Sequence, residues 1–587
     1  MSNVSRRGFL KVAGVAGVGA AFANLAGCSS GGTTSSDASK AADTVVYGKI
    51  YTSNSSEKYA EAFAVKDGRY VYVGTVDGAS EYVKDGTTTV IDHRDKGLVM
   101  AGATEGHGHY VAAAELTTIG AAVGGSTVDE IIAGIKTFVE AHPNNTAYFT
   151  QGWDSHGEMG EKRSTYNMRA AIDEVCADKP VLMMDNVGHN AFLNSKALEL
   201  AGFTSGVEVE GGSFAKDESG NLLGFVSDVA VNYAMEKVIL QNEIITKSEV
   251  REAIRSAADK LHSCGYTNYF DAYTNMFGET TYAGVQEEDQ QTGLTFNMIA
   301  SYKVDPYADI DEKAELTKSY MEKYATTHFK ANNVKLFADG GAVEAQSGWL
   351  LEGYKDGSHG NQVWSDDRMN EIVKKLNEKG VSVHVHASGD GATTQTVNAF
   401  INAEQTAAEG VYNGLGHSRH ITEETKDKMA AHNIYSATNI CWRYLPAANV
   451  EAVKAIMNYD TCINGYPMKS LIDRGIVMTS STDYPANDGA PIDVCGIIEV
   501  GVNGTLAGME TIRMAEDEYL TVEEMLDVMT INGAKQFQFA DERGSIEVGK
   551  YADFLLLDKD ITSCDLDKIH EGKVAKVYFE GNEVYTA

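Results

Sequence analysis

The sequence predicts an α/β fold: a (β/α)8 TIM-like barrel with a small composite β-sandwich formed by both chain ends. Three observations point there. Strand and helix patterns alternate through the middle of the chain, which implies parallel strands. Polar residues recur where those strands end, the rim on which barrels assemble chemistry. The two termini carry short β-rich segments, neither with enough apolar residues to stand alone. An open doubly wound sheet is the rival reading, but no Gly-rich fingerprint follows a first strand. The length of 587 residues, 43% of them hydrophobic, exceeds one ordinary core and suits a large barrel plus a smaller domain.

The first segment reads as an address. Ser5-Arg6-Arg7-Gly8-Phe9 precedes a short apolar run from Val12 to Ala26. A positive stretch before such a run is a secretory signal, and the twin arginine points to the export route for folded proteins. The run is short for a membrane span of about 20 residues. It ends in Leu25-Ala26-Gly27-Cys28, similar to a bacterial lipobox. The expectation is a signal peptide over 1–27, lipidation at Cys28 and a Ser/Gly/Thr tether over 28–43. The chain is thus expected to meet the twin-arginine export machinery and to be exported, lipid-anchored at the bacterial envelope.

Strands follow at Thr44–Tyr47, Ala62–Val65, Arg69–Gly74 and Thr88–Asp92, with Lys66-Asp67-Gly68 as a hairpin turn. Their partners at the far end are Ala552–Asp558, Val574–Phe579 and Val584–Tyr585. The sandwich is assigned to 44–96 and 540–587, and the barrel to 97–539. Within the barrel, Asp366-Asp367 is read as the cap of a helix with apolar positions at Met369, Ile372, Val373 and Leu376, ended by Gly380. The period then switches to two, so Ser382, His384 and His386 share one strand face. Helices at about 393–404 and 422–431 alternate with strands at 411–417, 434–438 and 475–481.

Charge and cysteine content exclude several classes. The 49 Lys+Arg against 83 Asp+Glu give −34, with no basic cluster, so nucleic acid is not an expected partner. Apart from Cys28, the six cysteines are widely spaced and form no CxxC pair. Structural zinc and iron–sulfur sites are poorly supported, while one or two disulfides stay open.

Metal-ligand chemistry appears at the strand ends. His107-Gly108-His109 closes an apolar strand read as Gly97–Thr104, and residues two apart on a strand point the same way. His386 and His417 end two later strands, Asp483 ends another, and Lys335 lies in Val334–Gly340. Single core histidines are common; four at strand tips with an aspartate are a poor packing accident. The barrel is therefore read as metal-dependent.

These segments resemble the amidohydrolase superfamily, in its amidohydrolase 3 branch, exemplified by N-substituted formamide deformylase. The resemblance spans about 43–587. It rests on Glu105-Gly106-His107-Gly108-His109 (Glu where the family has Asp), Gly152-Trp153-Asp154, and Gly188-His189-Asn190-Ala191 with Asn194-Ser195-Lys196-Ala197-Leu198. His386-Ala387-Ser388-Gly389-Asp390 and the tail Gly544–Asp553 complete it. The resemblance implies metal ligands at His107, His109, His386, His417 and Asp483, and a Lys335 that can be carboxylated to an N6-carboxylysine bridging two ions. Strand six is the loosest match, with Gly416-His417-Ser418 in place of Glu-His-Ala and His420 close by as a competitor. It also implies an insertion over about 112–255 that covers the pocket, with His189 and Trp153 as substrate contacts and His189 orienting the scissile carbonyl.

Neutral imidazoles hold Zn²⁺ without cancelling its charge, so one or two zinc ions, or another divalent metal, are expected. Asp483 is the expected general base, taking a proton from water and returning it to the leaving amine. Glu344 is a candidate for a cationic substrate group and Arg443 for a carboxylate. The expected function is hydrolysis of a C–N bond, amide- or formamide-like, in a small molecule. An ester or lactone hydrolase using the same site, and a non-catalytic solute-binding lipoprotein, are the alternatives.

Overall fold

The computed structural model describes residues 40–587 apart from 156, 187, 189, 210–211, 241, 243, 341–345 and 487–488. The expected barrel is present. Eight parallel strands run in spatial order through Ala103–Gly108, Tyr266–Asp271, Asn297–Lys303, Phe329–Phe337, Ser382–Ala387, Gly414–His417, Tyr435–Thr438 and Met478–Ser480. They are called strands one to eight below. Strands one and eight are joined past their ladder ends: Asp483 N–H donates to His107 O (3.0 Å) and His109 N–H to Tyr484 O (2.7 Å). The seam of the barrel is thus also where His107, His109 and Asp483 meet.

The periodicity around strand five folds as read. Helix Asp366–Glu378 buries Met369, Ile372, Val373 and Leu376. Its cap is Ser365, which accepts from Arg368 N–H, rather than the aspartates that follow it. Those aspartates occupy the first turn, where they complement the helix dipole.

The run Gly97–Thr104, expected as one strand, is two strands in two sheets. Leu98–Ala101 pairs with Phe554–Leu557 and Thr44–Tyr51, whereas Ala103–Gly108 enters the barrel. Gly102 is the hinge. A Cβ there would lie 2.2 Å from Thr267 Oγ1, so only glycine lets the chain pass this close to strand two. Apolarity is continuous across the break because both halves are buried, and periodicity could not reveal it.

The two chain ends share one sheet, ordered Asn582–Thr586, Val574–Phe579, Phe554–Leu557, Leu98–Ala101, Thr44–Tyr51, Tyr59–Lys66, Arg69–Gly74, with Thr89–Asp92 also on Thr44–Tyr51. Val46, Ile50, Phe63, Val99 and Phe554 form an apolar cluster on one face. Val45, Tyr47, Ala62 and Ala64 form another on the opposite face.

Between strands one and two, a separate six-stranded sheet runs from Ala122–Gly125 to Leu222–Asp228. It rests on turns that follow strands two and three. Phe149 of the sheet meets Phe277 edge-on (5.9 Å between centroids), and Tyr233, in the helix Val229–Val238 that follows the sheet, meets Tyr307 (5.4 Å). Those turns lie at the C-terminal rim, so this sheet stands on the same side as the strand-end histidines. Among the described residues, no helix is long and apolar enough to cross a membrane. The six described cysteines are free thiols.

Candidate metal centre

The strand ends bring His107, His417 and Asp483 together, with one ligand atom from each lying within 4.8 Å of the others. Asp483 Oδ1 is 3.3 Å from His107 Nε2 and 3.1 Å from His109 Nε2. Lys335 Nζ lies 3.1 Å from His107 Nε2. The ring of His386 is 4.2 Å from that of His417, so the fourth expected histidine borders the same cluster. Phe337 stacks on His386 (5.1 Å), and Lys335 Nζ sits 4.8 Å from the centre of the Phe337 ring.

Neighbouring groups fix these side chains. His417 Nδ1 is 2.7 Å from Asn439 Oδ1, just beyond strand seven. Asn439 is buried and its amide nitrogen has no partner among the described residues. Asp339 Oδ1 lies 3.5 Å from His386 Nε2 and accepts from Ser388 N–H (3.1 Å), while its Oδ2 accepts from Gly389 N–H (2.8 Å) and Trp349 N–H (3.0 Å). Glu105 Oε1 accepts from the N–H of His107 (3.1 Å) and of Thr482 (3.0 Å), tying the seam beside Asp483. The longer glutamate does this where the family has Asp. His417 (φ 69°) and Asp483 (φ 56°) both have left-handed backbone. Each such non-glycine residue costs of order 1–3 kcal/mol, and surroundings this well bonded can hold it.

Electrostatics give the donors the protonation a cation needs. Burial, then the charge of Lys335, holds His107 well below the usual imidazole range. Burial likewise lowers His417 to about 4. Burial pushes the Asp483 carboxyl up, but bonds from His107 and His109 prevail and hold it well below its usual range. Burial lowers Lys335 to about 7 against the pull of Asp483, toward the neutral amine that carboxylation requires. Neutral imidazoles beside an ionised carboxylate are a zinc-type donor set.

Two expected substrate contacts, Trp153 and Arg443, are fully buried. Trp153 is fully buried in the inserted sheet, donating its indole N–H to Met183 O (3.3 Å) and meeting Phe192 at 4.8 Å. It is a core residue there. Arg443 is equally buried, donating to Tyr466 O (3.0 Å) and Ala515 O (2.7 Å), with its guanidinium 4.1 Å from the Tyr519 ring centre. It clamps two loops. His189 and Glu344 lie outside the described residues, as do Cys28 and the twin-arginine segment. His420, the competitor to His417, is buried beside Gly465 and is not one of the three residues grouped at the strand ends. Asn194, from the branch motif, is structural: it caps helix Ser195–Leu200 and accepts from Val181 N–H (3.0 Å).

The amidohydrolase family profile matches residues 90–585. The chain belongs to the amidohydrolase family. The chain is 26% identical over 440 residues to the exoenzymes regulatory protein AepA of Pectobacterium carotovorum subsp. carotovorum, covering 74% of this chain and 92% of that protein. It is 23% identical to N-substituted formamide deformylase of Arthrobacter pascens, covering 92% of this chain and 97% of that enzyme. An uncharacterized metal-dependent hydrolase from Pyrococcus horikoshii OT3 shares the fold, with a TM-score of 0.67 at 21% identity, over 89% of this chain and 99% of that one.

Sequence reasoning left out Asn439 and Tyr435. Both lie at strand-seven ends, and polar residues at such ends were the available signal, but only the fold pairs them with histidines of other strands.

Proposed function

We propose that this amidohydrolase-family protein is a metal-dependent hydrolase that cleaves a C–N bond, amide- or formamide-like, in a small molecule. The observation that carries the reading is the convergence of His107, His417 and Asp483 within 4.8 Å at the barrel rim. A relative named for deformylation of N-substituted formamides supports the bond class. In this reading His107, His109, His386, His417 and Asp483 would hold zinc, one ion or two, and Lys335, once carboxylated to N6-carboxylysine, would add an anionic oxygen donor to the same site. When bound, the cation supplies Lewis acidity and brings the pKa of water from 15.7 toward about 7.

The chain's own groups do the rest. Asp483, kept ionised by its imidazole neighbours, accepts a proton from the attacking water. It returns that proton to the leaving nitrogen, so the amine departs neutral. Asn439 holds His417 by Nδ1, which turns Nε2 to the site. The Trp442 ring lies parallel to that of His417 (6.1 Å, 5°) and lends an apolar face that excludes water.

The test is turnover of a panel of N-formyl and N-acyl amines. Zinc-loaded protein should hydrolyse members of the panel, and chelation should stop it reversibly. Turnover untouched by exhaustive chelation would sink the reading. We further propose export by the twin-arginine route and anchoring through lipid on Cys28. Cys28→Ala should then move the protein from the membrane fraction to the soluble one, and unchanged fractionation would refute the anchor.

A further inference from the structure

This inference rests on the metal site just proposed and concerns the edge of His107 that faces away from it. His107 Nδ1 lies 2.8 Å from His384 Nε2, and His384 Nδ1 lies 2.9 Å from the Tyr435 hydroxyl. All three residues are at most 1% exposed. His384 stands two residues before His386 on strand five, and Tyr435 opens strand seven. Gly416 on strand six leaves the space between them. A Cβ at 416 would lie 2.6 Å from His107 Nδ1 and 2.8 Å from His384 Nε2, closer than side chains approach.

A neutral imidazole has one N–H and one lone pair. His107 Nε2 is the nitrogen turned to Lys335 and Asp483. If its lone pair goes to a cation, the proton of His107 must sit on Nδ1. That N–H then donates to His384 Nε2, which must be bare. The proton of His384 is therefore on Nδ1 and donates to the Tyr435 oxygen. The proton positions of both rings follow from one end of the chain. Metal-ligating histidines usually give this outer bond to a carboxylate, a carbonyl or water. Here the acceptor is a second imidazole backed by a phenol.

We propose that His384, with Tyr435 behind it and Gly416 leaving it room, orients His107 and sets the tautomer in which His107 can ligate. It is a positioning residue that touches neither substrate nor cation.

The test is zinc affinity by chelator competition for wild type, His384→Leu, His384→Gln and Gly416→Ala, with thermal melting as a check on folding. His384→Leu, which leaves the His107 N–H unpaired, and Gly416→Ala, which wedges the rings apart, should each bind zinc about 10–100-fold more weakly. His384→Gln places a carbonyl oxygen near the position of Nε2 and should recover most of the loss. In zinc-loaded protein, ¹⁵N spectra of the rings should show His384 protonated at Nδ1 and bare at Nε2. Equal affinity of His384→Leu and wild type, or His384 protonated at Nε2 in the loaded protein, would overturn the proposal. Should His384→Leu not fold, Gly416→Ala and the ring spectra decide in the same way. A wild type that binds no zinc removes the metal site as well, an outcome distinct from wild type and variant binding alike.

Discussion

The two ends of barrel strand four, Phe329–Phe337, with His328 just before it, treat basic side chains in opposite ways. Near the C-terminal end, burial lowers Lys335 to about 7, and no carboxylate among the described residues is bonded to its nitrogen. At the N-terminal end, burial also opposes charge on His328, but bonds to Asp289 (2.9 Å) and Glu580 (3.3 Å) raise it to about 9. The ordinary order of basicity is inverted on a single strand. Burial is common to both ends; hydrogen-bonded carboxylates decide the charge. Glu580 lies in the turn between the last two strands of the sheet built by the chain ends and also receives Arg543, which pairs with Asp553 at 2.5 Å. The N-terminal end is thus pinned as a paired ionic network, and the C-terminal end sets His107 and His417, both lowered by burial, beside the ionised Asp483 carboxylate. Barrels customarily divide stability and chemistry between their ends in this way.

The sharpest way to break this division is Asp483→Asn. Turnover should fall about 10³-fold while the melting temperature stays close to wild type. A large loss of stability with activity retained would place the residue on the wrong side of the comparison. His328→Gln should do the converse, costing about 2 kcal/mol in denaturant melts and leaving kcat unchanged. Its pH dependence has a definite sign. The folded pKa of about 9 exceeds the ordinary 6.5, so the stabilisation is full below pH 6.5 and fades as pH rises through about 9. Wild type and His328→Gln should therefore converge in stability at alkaline pH; a gap that widens there would contradict the assignment. Arg443→Lys keeps the charge but loses the fork that reaches two carbonyls. It should cost about 1–2 kcal/mol with KM unchanged, and a raised KM for carboxylate-bearing substrates alone would restore Arg443 to the pocket.

Much of the site was legible in the sequence because its residues sit at strand ends, where a local pattern carries information. His107, His386, His417 and Asp483 could be found from apolar runs that stop at a polar residue. The barrel was legible for the same reason, most plainly where the spacing of three and four at Met369–Leu376 gives way to a period of two at His384 and His386. What stayed hidden depends on contacts distant in the chain. The turn at Gly102 is dictated by Thr267. The burial of Trp153 and Arg443 is set by Met183, Tyr466 and Ala515. An aromatic or an arginine beside a polar motif looks the same from sequence whether it lines a cavity or fills a core. His384 was visible as an inward-facing neighbour of His386, but its bond to His107 crosses 277 positions.

The measurement closest to the central claim is metal content by elemental mass spectrometry, on full-length protein purified without chelator or added metal. One or two divalent ions per chain, reduced in a His107→Ala, His417→Ala double variant that remains folded, is the predicted result. Two would favour the carboxylated Lys335 and one the mononuclear site. A folded wild type that holds no metal and takes up none from a zinc buffer would contradict the account.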